Sequence, residues 1–116
     1  MKMKKVISSL LIASALTFSA TTVFASTGSS LFSSEGCIAC HAINGQGGSV
    51  GPDLSHVGSK RSLSWLKTQI TNPSAHFTSG SSVTINGQSY MAIMPPHKHM
   101  PASKLNALAG YLKSLK

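Results

Sequence analysis

The segment Cys37-Ile38-Ala39-Cys40-His41 brings two thiols and an imidazole together within five residues. On one helical turn, each of the two sulfurs can form a thioether to a vinyl group of a haem, and the imidazole that follows can reach the iron. The motif therefore predicts that one haem c is bound covalently through Cys37 and Cys40, with His41 as an axial iron ligand.

Three other kinds of site use similar residues. A thioredoxin-like redox pair shares the Cys-x-x-Cys spacing, but it is expected after a strand in a βαβ pattern, which residues 26–36 do not offer. A zinc site needs four ligands, and Cys37 and Cys40 are the two cysteines of the sequence. A structural disulfide would suit an exported protein but would leave His41 without a role.

The N-terminus has the pattern of a secretory signal peptide. Lys2, Lys4 and Lys5 precede an apolar stretch at 6–18, and Val23-Phe24-Ala25 fits the positions before a cleavage site. We expect residues 1–25 to be the signal peptide and 26–116 to be one small domain in the periplasm. An uncleaved N-terminal anchor is the alternative, although the apolar stretch is short for a membrane span.

The charge of the chain is strongly basic but sparse. Ten Lys and Arg against two Asp and Glu give a net charge of +8, and 10% of the residues are charged, against about one quarter in ordinary domains. The excess of basic residues either serves solubility or forms a basic face that binds a redox protein with an acidic docking face. Weak association with an anionic membrane surface is a further possibility. No nucleic-acid partner is expected, and the protein is expected to be a monomer.

Helical patterns appear in three segments. A short one contains Leu31 and Phe32 before the pentad. A second begins at Ser62 as N-cap and ends before Asn72-Pro73, and its apolar residues fall on one face. The third places Pro101 in a first turn. The apolar positions of the last two are Leu63, Leu66 and Ile70, then Leu105, Leu108, Leu112 and Leu115.

Two further segments read as non-helical. Residues 44–52 are a loop by composition, because glycines recur through them. Asn86-Gly87 lies between Val83-Thr84-Ile85 and Gln88-Ser89-Tyr90, which is a strong signal for a β-hairpin. Together these segments predict helices around a haem with a two-stranded flap.

The order of these segments resembles that of the class I c-type cytochromes over nearly all of residues 26–116. The resemblance implies an all-α, small cytochrome c fold, in which three or more helices pack around one covalently bound haem. A short β-hairpin is expected in the loop before the axial methionine. The matching elements are Leu31-Phe32, the pentad, Gly51-Pro52-Asp53-Leu54, Arg61 with Trp65-Leu66, Met94-Pro95-Pro96 and Ala109-Gly110-Tyr111-Leu112-Lys113.

The resemblance also implies roles for single residues. His41 would be the proximal iron ligand, its Nδ1 proton donated to the Pro52 carbonyl, and Met94 would supply its thioether sulfur on the opposite side. Leu54 would pack on the haem face, and Arg61 with Trp65 would hold the haem propionates. Tyr111 would lie where the last helix crosses the first.

The choice of the sixth ligand rests on spacing, because five candidates lie within residues 91–100. Met94 precedes Tyr111 by 17 positions, a spacing similar to that in the family, whereas Met100 precedes it by 11. Met100 then reads as an apolar staple beside the final helix, with His97 and His99 solvated. A copper site is the sharper alternative for Met91, His97, His99 and Met100. His56 and His76 stand alone and are expected to be surface or hydrogen-bonded residues.

Coordination by both His41 and Met94 predicts a function. Iron with both axial positions filled has no open place for oxygen or substrate, so the expected chemistry is one-electron exchange. The predicted protein is not an enzyme but a periplasmic electron carrier between a respiratory donor and a terminal oxidase or reductase. Lys60, Arg61, Lys67 and Lys98 are expected around its docking edge. The alternatives are a haem enzyme or gas or peroxide sensor with a displaceable sixth ligand, and a copper-handling protein that uses loop 91–100.

Overall fold

The computed structural model describes residues 20–116, which form four α-helices and two small antiparallel sheets. Residues 1–19 of the predicted signal peptide lie outside the described residues, and cleavage after residue 25 stays a prediction. No helix within 20–116 has both the length and the apolar character that crossing a membrane requires. The helices are α1 (Ala20–Ser34), α2 (Val57–Lys60), α3 (Leu63–Thr71) and α4 (Ala102–Ser114), and the strands are β1 (Ala42–Ile43), β2 (Gln46–Gly47), β3 (Ser82–Ile85) and β4 (Gln88–Met91).

Helices α1 and α4 cross in close contact at Gly28. A Cβ atom built on Gly28 would collide with the Cβ of Tyr111 and would lie 2.6 Å from the carbonyl oxygen of Ala107. Only a residue without a side chain allows the two backbones to approach this closely. The crossing also confirms the expected position of Tyr111 on the last helix.

The hydrophobic core lies between α1, α3 and α4. Leu108 at its centre is fully buried, and Leu66 and Ile70 contribute the inner face of α3. Leu63 is 40% exposed, so the apolar face predicted for α3 is buried from Leu66 onward and not from its first residue. The buried set is Leu31, Phe32, Ile43, Leu66, Ile70, Ala107, Leu108, Ala109 and Leu112.

Helix α3 begins and ends where the local sequence signals predicted. The Ser62 hydroxyl accepts a hydrogen bond from the backbone N–H of Trp65 at 3.1 Å, which satisfies a donor that the helix itself leaves unpaired. Asn72 closes the helix, and Pro73 begins a short 3₁₀ turn, Pro73–Ala75. At α4 the prediction is one residue off, because Pro101 precedes the helix as its N-cap and does not lie inside the first turn.

The predicted hairpin is confirmed, and a second one appears where a loop was expected. Asn86 and Gly87 have φ angles of 51° and 80° and connect β3 to β4, with Ile85 paired to Gln88. Asn44 and Gly45 repeat the same angles, 51° and 80°, and connect the two-residue strands β1 and β2. Both connections place two consecutive residues at positive φ, which suits the right-handed twist of the paired strands. The short helix α2 was not predicted either.

Candidate haem site

One large cavity, of about 700 Å³, is lined by all four residues predicted to bind the haem: Cys37, Cys40, His41 and Met94. Its volume lies within the range of roughly 300–1,000 Å³ that is usual for small-molecule and cofactor sites. The buried core supplies the inner wall, so the site and the core share the same side chains. The core residues that line the cavity are Phe32, Leu66, Ile70, Leu108 and Leu112.

The two thiols lie on a single turn directly after α1. Gly36 has a φ angle of 82°, which redirects the chain from α1 into the 3₁₀ turn Cys37–Ala39. The backbone N–H of His41 donates to the Cys37 carbonyl at 2.9 Å, so the pentad is folded on itself. Cys37 and Cys40 are both free and half-buried. This turn confirms the expected helical arrangement of the motif.

Neither the position nor the acidity of Cys37 suits a redox-active cysteine pair. Burial raises the pKa of the Cys37 thiol, and the nearby charge of Glu35 acts in the same direction, although a backbone hydrogen bond opposes them. Reactive redox cysteines have a lowered pKa instead. The pentad also follows a helix, whereas a thioredoxin-like pair is expected after a strand. The geometry therefore disfavours the redox-pair alternative.

His41 is held as a neutral imidazole with one defined tautomer. Its Nδ1 donates a hydrogen bond to the Pro52 carbonyl at 2.7 Å, as the resemblance implied. Because a carbonyl oxygen can only accept, Nδ1 carries a proton, and in the neutral ring Nε2 then keeps its lone pair. Burial lowers the pKa of His41 more than the bond to Pro52 raises it. A neutral imidazole with a fixed tautomer is the form that binds a metal.

Gly51 allows the backbone to lie directly against this imidazole. A Cβ atom on Gly51 would be 2.5 Å from Cε1 and 2.9 Å from Nδ1 of His41. The same residue donates its backbone N–H to the Cys40 carbonyl at 2.7 Å. The segment that accepts the His41 proton is therefore also tied to the cysteine turn.

Met94 lies in the extended segment after β4 and lines the cavity as a half-buried residue. Its sulfur accepts a hydrogen bond from Nε2 of Gln69 in α3, at 3.4 Å. The backbone N–H of His97 donates to the Ile70 carbonyl at 3.0 Å, which ties the same segment to α3. Pro95 and Pro96, between these two ties, restrict the backbone of a segment that has no regular structure.

The other candidates for the sixth ligand are distributed differently. Met91 and His97 line the cavity, whereas Met100 packs against the hydrophobic core, as the staple interpretation expected. His97 is not simply solvated, because it is half-buried and its Nδ1 is 4.0 Å from the Glu35 carboxylate. Within the described part of the chain, no group of three or more His, Cys, Asp and Glu side chains could hold a metal ion. His99 is exposed and adds no support for a copper site.

Arg61 and Trp65 form one polar border of the cavity, with Leu54 on the wall beside them. The Arg61 guanidinium carbon lies 4.1 Å from the centroid of the Trp65 ring, which is the geometry of a cation–π contact. This contact fixes a positive charge where an anionic group of a bound cofactor could be held. Contact of these two residues with the haem propionates stays a prediction.

The hairpin β3–β4 covers another side of the cavity. Val83, Ile85 and Tyr90 line it from the two strands. Val50 and Ile93, at its border, are 50% and 58% exposed. The opening is therefore framed by apolar side chains as well as by Lys60 and Arg61.

Two residues at the site were missed by the sequence analysis. Gln69 contacts the Met94 sulfur, and His76 contacts Gln69 through Nδ1 and Oε1 at 2.9 Å. The signal that could have found Gln69 is its position four residues after Trp65, on the same side of α3. His76 has no comparable signal, because its partners become neighbours only when the segment after α3 folds back.

The donor set and the walls of this cavity fit a covalently bound haem. Two thiols, a neutral imidazole and a thioether sulfur line one cavity, with a core of apolar side chains behind them and a guanidinium at the border. Thiols can form the thioether bonds, and imidazole and thioether are axial ligands that suit haem iron.

Comparisons with known proteins agree with this chemistry. The chain is 29% identical over 97 residues to cytochrome c oxidase subunit 2 of Alkalihalophilus pseudofirmus, an alignment that covers 83% of this chain and 27% of that protein. The chain thus spans about a quarter of the length of this curated relative. No solved structure matches the chain significantly. The family model described as cytochrome c matches residues 25–116, nearly the whole of the described region. The chain therefore belongs to the cytochrome c family, and its all-α fold and Cys-x-x-Cys-His motif are those of a class I c-type cytochrome.

Proposed function

We propose that the protein is a periplasmic carrier that takes single electrons from a respiratory donor and passes them to a terminal oxidase or reductase. Membership of the cytochrome c family supports haem-based electron transfer. The observation that carries the proposal is the convergence of Cys37, Cys40, His41 and Met94 on one cavity. The name of the relative, a subunit of cytochrome c oxidase, supports a role next to a terminal oxidase.

The chain contributes attachment, ligation and exclusion of water. Haem, when bound, supplies reversible exchange of one electron between Fe(III) and Fe(II). Cys37 and Cys40 would hold one haem through thioether bonds, while His41 would present Nε2 with its proton kept on Nδ1 by Pro52. Met94 would present its sulfur from the other side. If His41 and Met94 both hold the iron, no ligand position would be left for a substrate, and we therefore propose a carrier and not an enzyme.

The sixth ligand can be tested with methionine variants of the haem-bearing protein. Met94→Leu should abolish the weak far-red absorption band expected of a methionine-to-iron bond in the oxidised protein. It should also lower the midpoint potential, because a thioether favours reduced iron. Met91→Leu and Met100→Leu are matched controls and should keep the band. Survival of the band in Met94→Leu, or its loss in either control, would contradict the assignment.

Mass spectrometry of the same preparation tests attachment and export. The intact mass should exceed that of residues 26–116 by the mass of one haem. Cys37→Ala with Cys40→Ala should remove that increment, since no thiol is left for attachment. A purified protein without the increment, or with the mass of residues 1–116, would contradict attachment or cleavage respectively.

A second candidate function is favoured by one observation. A further cavity of about 230 Å³ is bordered by Met94, Gln69 and Phe77 on the side of the extended segment. Space beside a ligand would let it move aside, as in a haem enzyme or a sensor of peroxide or gas. Binding of carbon monoxide to the reduced protein tests this, because a carrier with Met94 firmly bound should not react while a sensor should.

A further inference from the structure

The hairpin β3–β4 turns one face toward the large cavity and the other toward solvent. Side chains along a strand alternate between the two faces of a sheet, and the register pairs Val83 with Tyr90. Val83, Ile85 and Tyr90 therefore share one face, and all three are half-buried and line the cavity. The opposite face is exposed and is polar apart from Met91 at the end of β4. Its polar residues are Ser82, Thr84 and Ser89.

The hairpin is held in this register by its own hydrogen bonds. Beyond the paired strands, the backbone N–H of Gly80 donates to the Ala92 carbonyl, and that of Ala92 donates to the Ser81 carbonyl, both at 2.8 Å. The Tyr90 hydroxyl donates to Oε1 of Gln88 at 2.6 Å. Because a slip by one residue would turn every side chain to the other face, these bonds determine which side chains the cavity receives.

The apolar face of the hairpin does not pack on the helices. Within residues 20–116, the hydrophobic core and the side chains packed against it include none of Val83, Ile85 and Tyr90. The two strands contact each other extensively, and no helix of this described region contacts them to a comparable extent. A two-stranded hairpin is only marginally stable in water unless it packs against something. The apolar face therefore needs a partner, and that partner must lie in the cavity.

We propose that Val83, Ile85 and Tyr90 are haem-contact residues, and that the hairpin packs on the porphyrin and closes that side of it to water. The inference rests on the proposed attachment of haem to Cys37 and Cys40, and it does not depend on which residue is the sixth ligand. Both thiols line the same cavity as the hairpin face. A flat, largely apolar ring is a surface on which β-branched and aromatic side chains of a strand pack well.

Nuclear magnetic resonance of the reduced, haem-bearing protein tests the contact directly. Low-spin Fe(II) is diamagnetic, so dipolar contacts between neighbouring protons can be observed around the haem. The methyl groups of Val83 and Ile85 should show such contacts with haem protons. The methyl group of Thr84, which belongs to the opposite face, should show none.

Variants that keep the shape of the strand test whether the contact orders the hairpin. Val83→Thr with Ile85→Thr places hydroxyls on the inner face and keeps the β-branched side chains that strands favour. Because a hydroxyl buried without a partner is costly, the backbone amides of 82–91 should exchange hydrogen about tenfold faster in the haem-bearing protein. Those of α1, α3 and α4 should exchange at the native rate.

The reduction potential distinguishes packing on the haem from packing on other parts of the protein. When polar groups and water reach the haem, the charged oxidised form is favoured. In the same double variant, the ratio of oxidised to reduced protein at a fixed solution potential should therefore rise about threefold.

The matched control is Thr84→Val, which makes the reverse exchange on the exposed face. It should leave both the hydrogen exchange of 82–91 and the potential unchanged. If the double variant does not accumulate as folded protein, Val83→Thr alone and the dipolar contacts of the native protein decide.

A result against the hairpin contact can be told apart from a result against the proposed function. A protein that carries haem by its intact mass, but shows no dipolar contact of Val83 or Ile85 with the haem, would refute the contact and leave the attachment. Native hydrogen exchange in the double variant, or equally faster exchange in Thr84→Val, would also refute it. An intact mass without haem would instead refute the proposed function.

Discussion

At the scale of single residues, the proximal side of the site is defined by backbone contacts to His41. The Pro52 carbonyl selects the tautomer, and the neighbouring Gly51 lies so close to the ring that no side chain could be placed there. The identity of residue 51 therefore matters because of the imidazole beside it, and not because of an unusual backbone angle. A methyl group is enough to test this.

Gly51→Ala should displace the His41 ring without removing either thiol. The added Cβ would be 2.5 Å from Cε1 of His41, so either the ring or the segment 51–52 must shift. We expect the free energy of unfolding, measured in urea, to fall by about 1–3 kcal/mol, which is the usual cost of overpacking. The mass of the variant should still include the haem. The absorption spectrum should change as the imidazole moves.

The control for this variant is Gly110→Ala. Gly110 lies within α4, and a Cβ atom there would meet nothing within 4 Å. Alanine should be neutral there or should stabilise the helix by about 0.5–1 kcal/mol. Equal stability of Gly51→Ala and Gly110→Ala would contradict the proposed crowding at His41.

At the scale of elements, the crossing of α1 and α4 depends on one small residue. Gly28→Ala places a methyl group where Tyr111 and the Ala107 carbonyl already lie, so the helices must separate. At most helical positions, alanine makes the helix more stable than glycine does. The destabilisation predicted here is therefore opposite to the effect of intrinsic helix propensity. We expect a loss of about 1–3 kcal/mol in the free energy of unfolding. A stability equal to or above that of the native chain would show that the crossing tolerates a side chain.

The elements that sequence reasoning predicted are those with a local signal. Ser62 as N-cap and Asn86-Gly87 as a hairpin turn depend on residues next to one another in the chain, and both predictions are confirmed. Asn44-Gly45 carries the same signal as Asn86-Gly87, but the surrounding glycines made the segment read as a loop. Helix α2 has four residues, too few for any periodic pattern to appear.

The residues of the candidate site also divide into those with a local sequence signal and those without one. Cys37, Cys40 and His41 are recognisable because the chemistry needs them at one fixed spacing, and all three line the cavity. Met94 could be chosen among its neighbours only through its spacing from Tyr111. The contact of Gln69 with Met94 joins residues 25 positions apart, and that of His76 depends on how the chain turns after α3. Such contacts are properties of the folded chain and leave no local pattern.

At the scale of the whole molecule, the cavity and the core have a common wall. Phe32, Leu66, Ile70, Leu108 and Leu112 belong to both. A group that binds only the folded chain stabilises it directly, and this group would also complete the packing of these five side chains. The fold is therefore expected to depend on its cofactor.

The haem-free chain should be largely unfolded. Cys37→Ala with Cys40→Ala, purified without haem, should show little protection of its backbone amides from hydrogen exchange in α1, α3 and α4. The haem-bearing protein, measured in parallel, should be strongly protected in the same helices. Native-like protection in the haem-free chain would show that the core is complete by itself.

The basic residues should affect the rate of association with a partner more than they affect the free energy of unfolding. Lys60 borders the cavity, Lys98 lies near Met94 at the second cavity, and both are exposed. Lys60→Glu with Lys98→Glu should slow electron exchange with an acidic soluble redox protein by about tenfold at low salt, and the difference should shrink as salt is added. Lys60→Arg with Lys98→Arg keeps the charge and should react at the native rate. A rate of the Glu variant that does not differ from the native one would contradict docking through this edge.

The ammonium group of Lys113 connects the last turn of α4 to the border of the cavity. Nζ of Lys113 donates to the carbonyl oxygens of Gly58 and Arg61, at 2.8 and 3.0 Å, and Arg61 in turn lies over Trp65. A change at Lys113 would therefore alter a hydrogen bond to Arg61, whose guanidinium lies over the Trp65 indole. Affinity tags, reporters or fused domains placed at that end should be checked for an altered redox spectrum before they are treated as neutral handles.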